Sequence, residues 1–487
     1  MNLRHDSHEV VDRLEAIPPL PIHFRWATVV GVGCFLDGFT TLTVAAALPV
    51  LIPALHIDYT HVGLLISASF FGMLVGAIAF GAASERFGRR PVFVLTVALF
   101  GLLSLLGMLA WSFASLFWLR VIQGLGLGGA IPVAAALVAE CLPARVRGTT
   151  FSLTYALLFA LGYVVAPLAG LLCIRLFGAE MGWRALFGLA GLALPFAFVA
   201  RSILPESPRW LASKGRFAEA MSLIQRLENA ARARGIPLEP VAPASASNPR
   251  HVAARTDATH AHGGEDAVAR GTQAARPSAA LAEAFGRDYL GRTLLVCVLF
   301  FTIYFVQYGL NAWLPTLYVK VGGLAPQHAL GLAVANGCIA LGSAVVFGFT
   351  VDRIGRKTWF IAGFTLSLAG AAWAIAALTG LHLGTWPVLF SAAVLLTAGT
   401  SVNAGSIYLY APELFPTRMR AWATSTGSAA SRLGSIVAPS AIGALLQARL
   451  GLASVFALLA AACVVGLLAI TLSGIETRQR TLEELAT

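Results

Sequence analysis

Charged side chains are scarce in this chain: they make up 12% of its 487 residues, against 57% hydrophobic ones, and mean hydropathy is +0.77. A soluble domain draws about a quarter of its residues from the charged set, so this composition excludes an ordinary soluble protein and indicates a polytopic membrane protein. Cysteine is sparse as well. Cys34, Cys141, Cys173, Cys297, Cys338 and Cys463 are scattered through apolar runs without CxxC spacing; they read as small apolar fillers, and neither disulfides nor metal ligation is expected. The first 25 residues are polar and lack a short apolar core with a small-residue cleavage site, so no cleaved signal peptide is expected. No span or loop sets a nucleophile beside a base or offers a metal cluster or phosphate-cradling loop, which argues against an enzyme, a metal or a cofactor. Gly124, Gly126 and Gly129 do match GxGxxG, but inside a membrane-length apolar run with no βαβ context, so they read as a close-packing helix face.

What the chain has in quantity is apolar runs. About twelve, of roughly 18 to 28 residues, are each long enough to cross a ~30 Å hydrocarbon core. Six precede Pro205 and six follow Gly291. The expected fold is therefore an all-α membrane protein, with twelve transmembrane helices in two pseudo-symmetric six-helix bundles. It divides into an N-terminal segment 1–26, a bundle 27–204, a loop 205–290 with an amphipathic helix and a disordered linker, a bundle 291–474 and a tail 475–487. The halves share motifs. GAASERFGRRP from Gly81 returns as GFTVDRIGRK from Gly348, and ECLPARVRG from Glu140 returns as ELFPTRMRA from Glu413. The net charge of +11 could suggest nucleic acid, but the bases sit in alternate short loops (Arg86, Arg89, Arg90; Arg145, Arg147; Arg353, Arg356, Lys357; Arg418, Arg420). By the positive-inside rule those loops and both termini are cytoplasmic, and topology accounts for the charge.

Few polar groups lie inside the spans, and they are the candidates for function. Asp37 falls ~15 Å into the first span and Arg432 ~18 Å into the eleventh, at nearly the same depth. A carboxylate there has to face a polar interior. An arginine cannot shed its proton, so it must meet a carboxylate, either Asp37 or one brought by a ligand. Arg120 in span 4 is read as pointing inward, with Gln123 on nearly the same face. In span 7, Tyr304, Gln307, Tyr308 and Asn311 follow i, i+3, i+4, i+7, and such a stripe fits the lining of a cavity that orients a small molecule. Asn336 in span 8 and Asn403 in span 10 add to the candidate binding set. After span 6, the apolar positions of PESPRWLASKGRFAEAMSLIQRL recur on one helical face, as in a helix lying on the inner membrane surface.

Two six-span halves, the GxxxERFGRRP loop and its echo, RxxQGxGxG in span 4, PESPRWL and PELFPTRxR together resemble the major facilitator superfamily. The DGF stretch at Asp37, PESPRW and SRLGSIVAP are similar to its branch of aromatic-acid and nicotinate-type proton symporters and organic-ion transporters. The resemblance implies alternating access, with the cytoplasmic gate on Gly81, Glu85, Arg86, Arg89, Glu140, Arg147, Asp352, Arg356, Glu413 and Arg420. Glu85 departs from the usual aspartate, and Thr40 stands where the aromatic-acid symporters often have a second acid. In organic-ion transporters a base at the position of Arg432 goes with anionic substrates.

The lead expectation is a proton-coupled importer of an aromatic or heteroaromatic carboxylate in the inner membrane. Asp37 would carry the proton, Arg120 would tune it, Arg432 would clamp the carboxylate and the span 7 stripe would orient the ring. The expected partners are a small organic acid, a proton and lipid, with no nucleic acid and a monomeric state. The alternatives are a facilitator or proton-driven exporter of organic cations and, from another class, a non-transporting membrane sensor.

Overall fold

Short polar punctuation sets the helix boundaries. Pro21 opens α2 (Pro21–Leu55), at a position where the missing N–H has no helical partner to lose. Asp58 accepts the His61 N–H at 2.8 Å and starts α3 (Tyr59–Phe87), and that bond holds the Asp58 carboxyl below its ordinary range. Gly88, at φ 109°, turns the chain into α4 (Arg89–Gly107); Ser112 caps α5 (Phe113–Cys141). Beyond these come α6 (Leu158–Ala190), α7 (Ala193–Ile203), α8 (Pro208–Ser213) and α9 (Phe217–Arg232). The second half contains α10 (Leu290–Lys320), α11 (Pro326–Ile354), α12 (Arg356–Thr379), α13 (Trp386–Glu413), α14 (Arg420–Gln447) and α15 (Leu452–Ser473), and α1 (Leu3–Ala16) precedes them all. This computed structural model describes residues 3–143, 146, 150, 157–238, 286, 289–380, 386–415 and 419–477; the side chains of 3–8, 352 and 420–423 are outside that description. Most of the expected linker, from 239 on, lies outside it too.

Among the described residues, eleven helical runs are long and apolar enough to cross a membrane. One, Leu158–Ile203, has 46 residues, or about 69 Å at ~1.5 Å per residue, more than twice the hydrocarbon core. Gly178, at φ 75° and ψ 178°, interrupts it, which supports two crossings there and the expected total of twelve.

Helices α2 to α7 pack on one another, as do α10 to α15. The two sets meet along α3–α14 and α6–α11, with α10 also against α2. Close packing inside the first set uses the glycines of α5: a Cβ on Gly124 would stand 2.2 Å from the Ser69 carbonyl, and one on Gly128 2.1 Å from that of Met73.

The segment after span 6 differs from expectation. It forms two helices rather than one, and the apolar face of α9 (Ala220, Ile224, Leu227, Ala231) is buried inside the protein. Its cover is α1, which the polar look of the first 25 residues concealed. Val10, Leu14, Ile17 and Leu20 are at most 2% exposed. Arg13 donates to Glu228 through Nε at 3.0 Å and Nη2 at 2.9 Å, and Arg209 pairs with Glu15. The amphipathic pattern was real, but a partner helix rather than lipid satisfies it.

Reversing Arg13→Glu is expected to lower the melting temperature of the detergent-solubilised protein, and Glu228→Arg in the same chain to restore most of the loss. Additive destabilisation in the double variant would show that the pair does not hold α1 in place.

Candidate functional site

Asp37 lies in α2 with 1% of its surface exposed. Its Oδ1 accepts from the Thr41 hydroxyl one turn on, at 3.3 Å, and its Oδ2 has no hydrogen-bond partner. Arg432, on α14 of the other half, is half-buried with Nη1 3.3 Å from the Met73 sulfur of α3. The acid and the base feel one another's charge, and the hydroxyls of Tyr163 and Tyr308 feel both. Among the described residues the two make no direct ion pair; they share one electrostatic field without touching.

Aromatic rings line the space beside them. The Tyr163 hydroxyl of α6 donates to that of Tyr308 on α10 at 2.8 Å, joining the halves, and the Phe70 ring of α3 lies 4.5 Å from Tyr308. Tyr308 stacks on Tyr304 at 5.8 Å, and Tyr304 on Phe300 at 6.3 Å. The Tyr304 hydroxyl donates to Tyr408 at 3.1 Å, at an exposed position. The result is a ladder of rings along α10, from the buried Tyr308 toward the exposed Tyr408.

The expected four-residue stripe is divided by the structure. Tyr304 and Tyr308 belong to the ladder, and Gln307 is half-buried with its Oε1 unpartnered. Asn311 instead accepts from Asn336 at 3.4 Å, and Asn336 also donates to Thr397 at 2.8 Å. These three, with Leu42 and Tyr163 from the other half, line a cavity of about 30 Å³, room for one water. Asn403 lies elsewhere. It is fully buried against Gly363, between α12 and α13, where the absent side chain leaves space for the amide: a Cβ on Gly363 would stand 2.2 Å from its Oδ1. Arg120 does point inward, at 2% exposure, but it donates to Gln123 Oε1 at 2.6 Å and reaches the Thr40 carbonyl at 3.5 Å. Gln123, one turn on along the same helix, captures the guanidinium and passes the network to Ser104 at 2.7 Å, so Arg120 does not contact Asp37.

The repeated loops form twin ion-pair clusters. Arg89 bonds Glu85 at 2.8 Å and Glu140 at 3.1 Å; Arg356 bonds Glu413 at 3.3 Å, its counterpart in the second half. Each pair stays within its own half. Arg86 is exposed, Arg147 falls outside the described residues, and so do the side chains of Asp352 and Arg420. Sequence reasoning missed two further acids. Glu206 accepts the N–H groups of Arg89 and Arg90 at 2.9 and 3.2 Å, and Glu476 those of Arg356 and Lys357 at 3.0 and 3.1 Å, each sealing a helix N-terminus next to a positive-φ glycine. Tyr163 was visible as a tyrosine in span 5, but nothing along the chain signalled its partner on α10.

Among the described residues, close contacts between the halves gather at the end away from the repeated loops. Away from the repeated loops, Ser67 donates to the Ile436 carbonyl at 2.6 Å and lies 2.8 Å from the Ser440 hydroxyl, and a Cβ on Gly63 would stand 2.6 Å from the Pro439 carbonyl. Toward the loops, Ile78 is 71% exposed and a Cβ on Gly81 or Gly348 would meet nothing within 4 Å.

The family model "Sugar (and other) transporter" matches residues 26–487. The niacin transporter NiaP of Acinetobacter baylyi is 29% identical, covering 98% of this chain and 99% of the relative. The 4-hydroxybenzoate transporter PcaK of Pseudomonas aeruginosa is 30% identical, covering 87% of this chain and 86% of the relative. Among solved structures, the inward-open xylose transporter XylE of E. coli superposes with a TM-score of 0.70 at 20% identity, over 95% of this chain and 99% of that one.

The seam gives a direct expectation. Gly63→Trp should hold the seam end apart, so that distances between spin labels at Thr60 and Gln447, in a background without native cysteines, become longer than in the parent. Unchanged distances would mean that the α3–α14 contact does not control closure.

Proposed function

Because this chain belongs to the sugar (and other) transporter family, as a multi-pass membrane carrier of the major facilitator superfamily, we propose that it imports an aromatic or heteroaromatic carboxylate together with a proton, by alternating access. The observation that carries this reading is Arg432: an obligate cation within a membrane-length helix, close enough to Tyr304 and Tyr308 to feel their hydroxyls, with no carboxylate bonded to it among the described residues. A substrate carboxylate supplies the missing partner through charge-assisted hydrogen bonds, and its ring finds Tyr304 and Tyr308 to stack on. Niacin and 4-hydroxybenzoate, which the two relatives are named for, share this chemistry of one aromatic ring and one carboxylate.

Asp37 carries the proton. Its Oδ2 is unpartnered, and its burial makes an uncompensated charge costly, so substrate and proton arrive together. Arg120 acts on Asp37 only through the Thr40 backbone. Asn311 and Asn336 border the chamber, and Asn403 serves helix packing. Within the described spans, buried Arg120 and half-buried Arg432 against the buried acid Asp37 favour an anionic cargo over the organic-cation reading. With the termini and the repeated loops cytoplasmic, the α3–α14 contact at Ser67 and Gly63 lies toward the outer face. The Glu85, Arg89 and Glu140 cluster and its Arg356–Glu413 twin then re-form contacts between the halves when the loop end closes. One chain supplies both sides of the site, so the carrier works as a monomer.

In proteoliposomes with an acidic exterior, Asp37→Asn should abolish accumulation of nicotinate or 4-hydroxybenzoate while leaving exchange measurable. Arg432→Gln should weaken apparent affinity tenfold or more, on the order of 1.4 kcal/mol. Full uphill uptake by Asp37→Asn, or unaltered affinity in Arg432→Gln, removes that residue from the mechanism.

A further inference from the structure

Asn336 of α11 lines the small cavity that both halves share, and 3% of its surface is exposed. Its amide nitrogen is fully used: one hydrogen goes to the Thr397 hydroxyl at 2.8 Å and the other to Asn311 Oδ1 at 3.4 Å. Those two bonds, to α13 and α10, fix which way the amide faces. Its Oδ1 is left as an acceptor with no partner among the described residues. Leu42, Leu314, Pro315 and Ala340 add only aliphatic surface to the lining, and the hydroxyl that Tyr163 brings from the first half gives its proton to Tyr308. A buried carbonyl oxygen left so is costly, and it calls for a donor from outside the chain. At about 30 Å³ the cavity admits one water, one hydroxyl or one amino group. The Tyr163–Tyr308 bond joins it to the ring ladder, so it adjoins the place where a cargo ring would stack.

Resting on the reading that an aromatic carboxylate seats at Arg432 and stacks on α10, we infer that Asn336 selects the cargo: its Oδ1 accepts from a hydroxyl or amino group at the ring position opposite the carboxylate. The spacing of the helices sets that position. A Cβ on Gly434 of α14 would stand 2.4 Å from the Phe301 carbonyl and 3.1 Å from the Phe305 nitrogen of α10, so Arg432, two residues earlier, is nearly level with Phe301. From Phe301 to Asn311 is ten residues, about 15 Å of helix. An extended arginine and a para-substituted ring, end to end, cover that span, whereas a substituent next to the carboxylate falls short. A ring without a donor displaces the water that Oδ1 can hold and returns no bond, which is how a site built around a buried polar atom rejects close analogues. The cavity therefore ranks 4-hydroxybenzoate above benzoate and above nicotinate, whose ring nitrogen brings no hydrogen. Thr397 and Asn311 are positioning residues that hold the amide.

The test uses the full-length protein in proteoliposomes with an acidic exterior, radiolabelled 4-hydroxybenzoate or nicotinate, and unlabelled acids as competitors. 4-Hydroxybenzoate and 4-aminobenzoate should inhibit at concentrations at least tenfold below those of benzoate, 4-methoxybenzoate, 2-hydroxybenzoate and nicotinate. In Asn336→Ala that advantage should be lost, chiefly through weaker inhibition by the two para donors; a merely structural role would weaken every competitor alike. Equal inhibition by benzoate and 4-hydroxybenzoate in the parent, or a tenfold preference that survives in Asn336→Ala, overturns the assignment and leaves the aromatic-carboxylate reading standing. So does uptake of nicotinate without uptake of 4-hydroxybenzoate. The parent panel decides even where the variant fails to fold. Absence of uptake of both labelled acids under every gradient overturns the proposed function itself.

Discussion

A charge in hydrocarbon must be compensated within a short distance or led to water, and this chain carries an acid and two bases where neither remedy is simple. Arg120 is settled locally by Gln123 and a backbone carbonyl. Asp37 and Arg432 form no ion pair among the described residues and come from separate bundles, one from α2 and the other from α14. Their compensation is therefore tied to how the halves sit against each other.

The internal repeat gives the two halves equivalent contacts. By motif, α3 corresponds to α11 and α6 to α14, so the two seams, α3–α14 and α6–α11, are one contact used twice. Such an arrangement lets either end close while the other opens. The loop clusters follow the same logic. Arg89 with Glu140 and Arg356 with Glu413 are equivalent pairs, and Glu206 and Glu476 are equivalent caps on the helices that follow Gly88 and Gly355. Each half thus pairs these charges within itself.

The small helices on the loop side belong to that frame rather than to the lipid surface. Trp210 donates to the Glu85 carbonyl at 3.0 Å and Glu206 caps α4, so α8 is fastened to the first repeated loop at two points. Helix α1 closes over α9 through Arg13 and Glu228. The N-terminal segment is in this way physically connected to the loop end of the first bundle.

The long apolar runs, the duplication and the close-packing glycines of α5 were legible along the chain, because each depends on residues adjacent in sequence or repeated at a fixed offset. The aromatic character of α10 was legible for the same reason: i and i+4 positions share a helix face. What the linear pattern could not give was the partner across a seam. It read α9 as lipid-facing when α1 covers it, grouped Asn311 with Tyr308 although Asn336 and Thr397 claim it, and took Asn403 for a chamber residue although a glycine on α12 receives it. Helical periodicity says which residues share a face, whereas the element that face meets is set by how the helices pack, and that packing brought Tyr163 to Tyr308 across the halves.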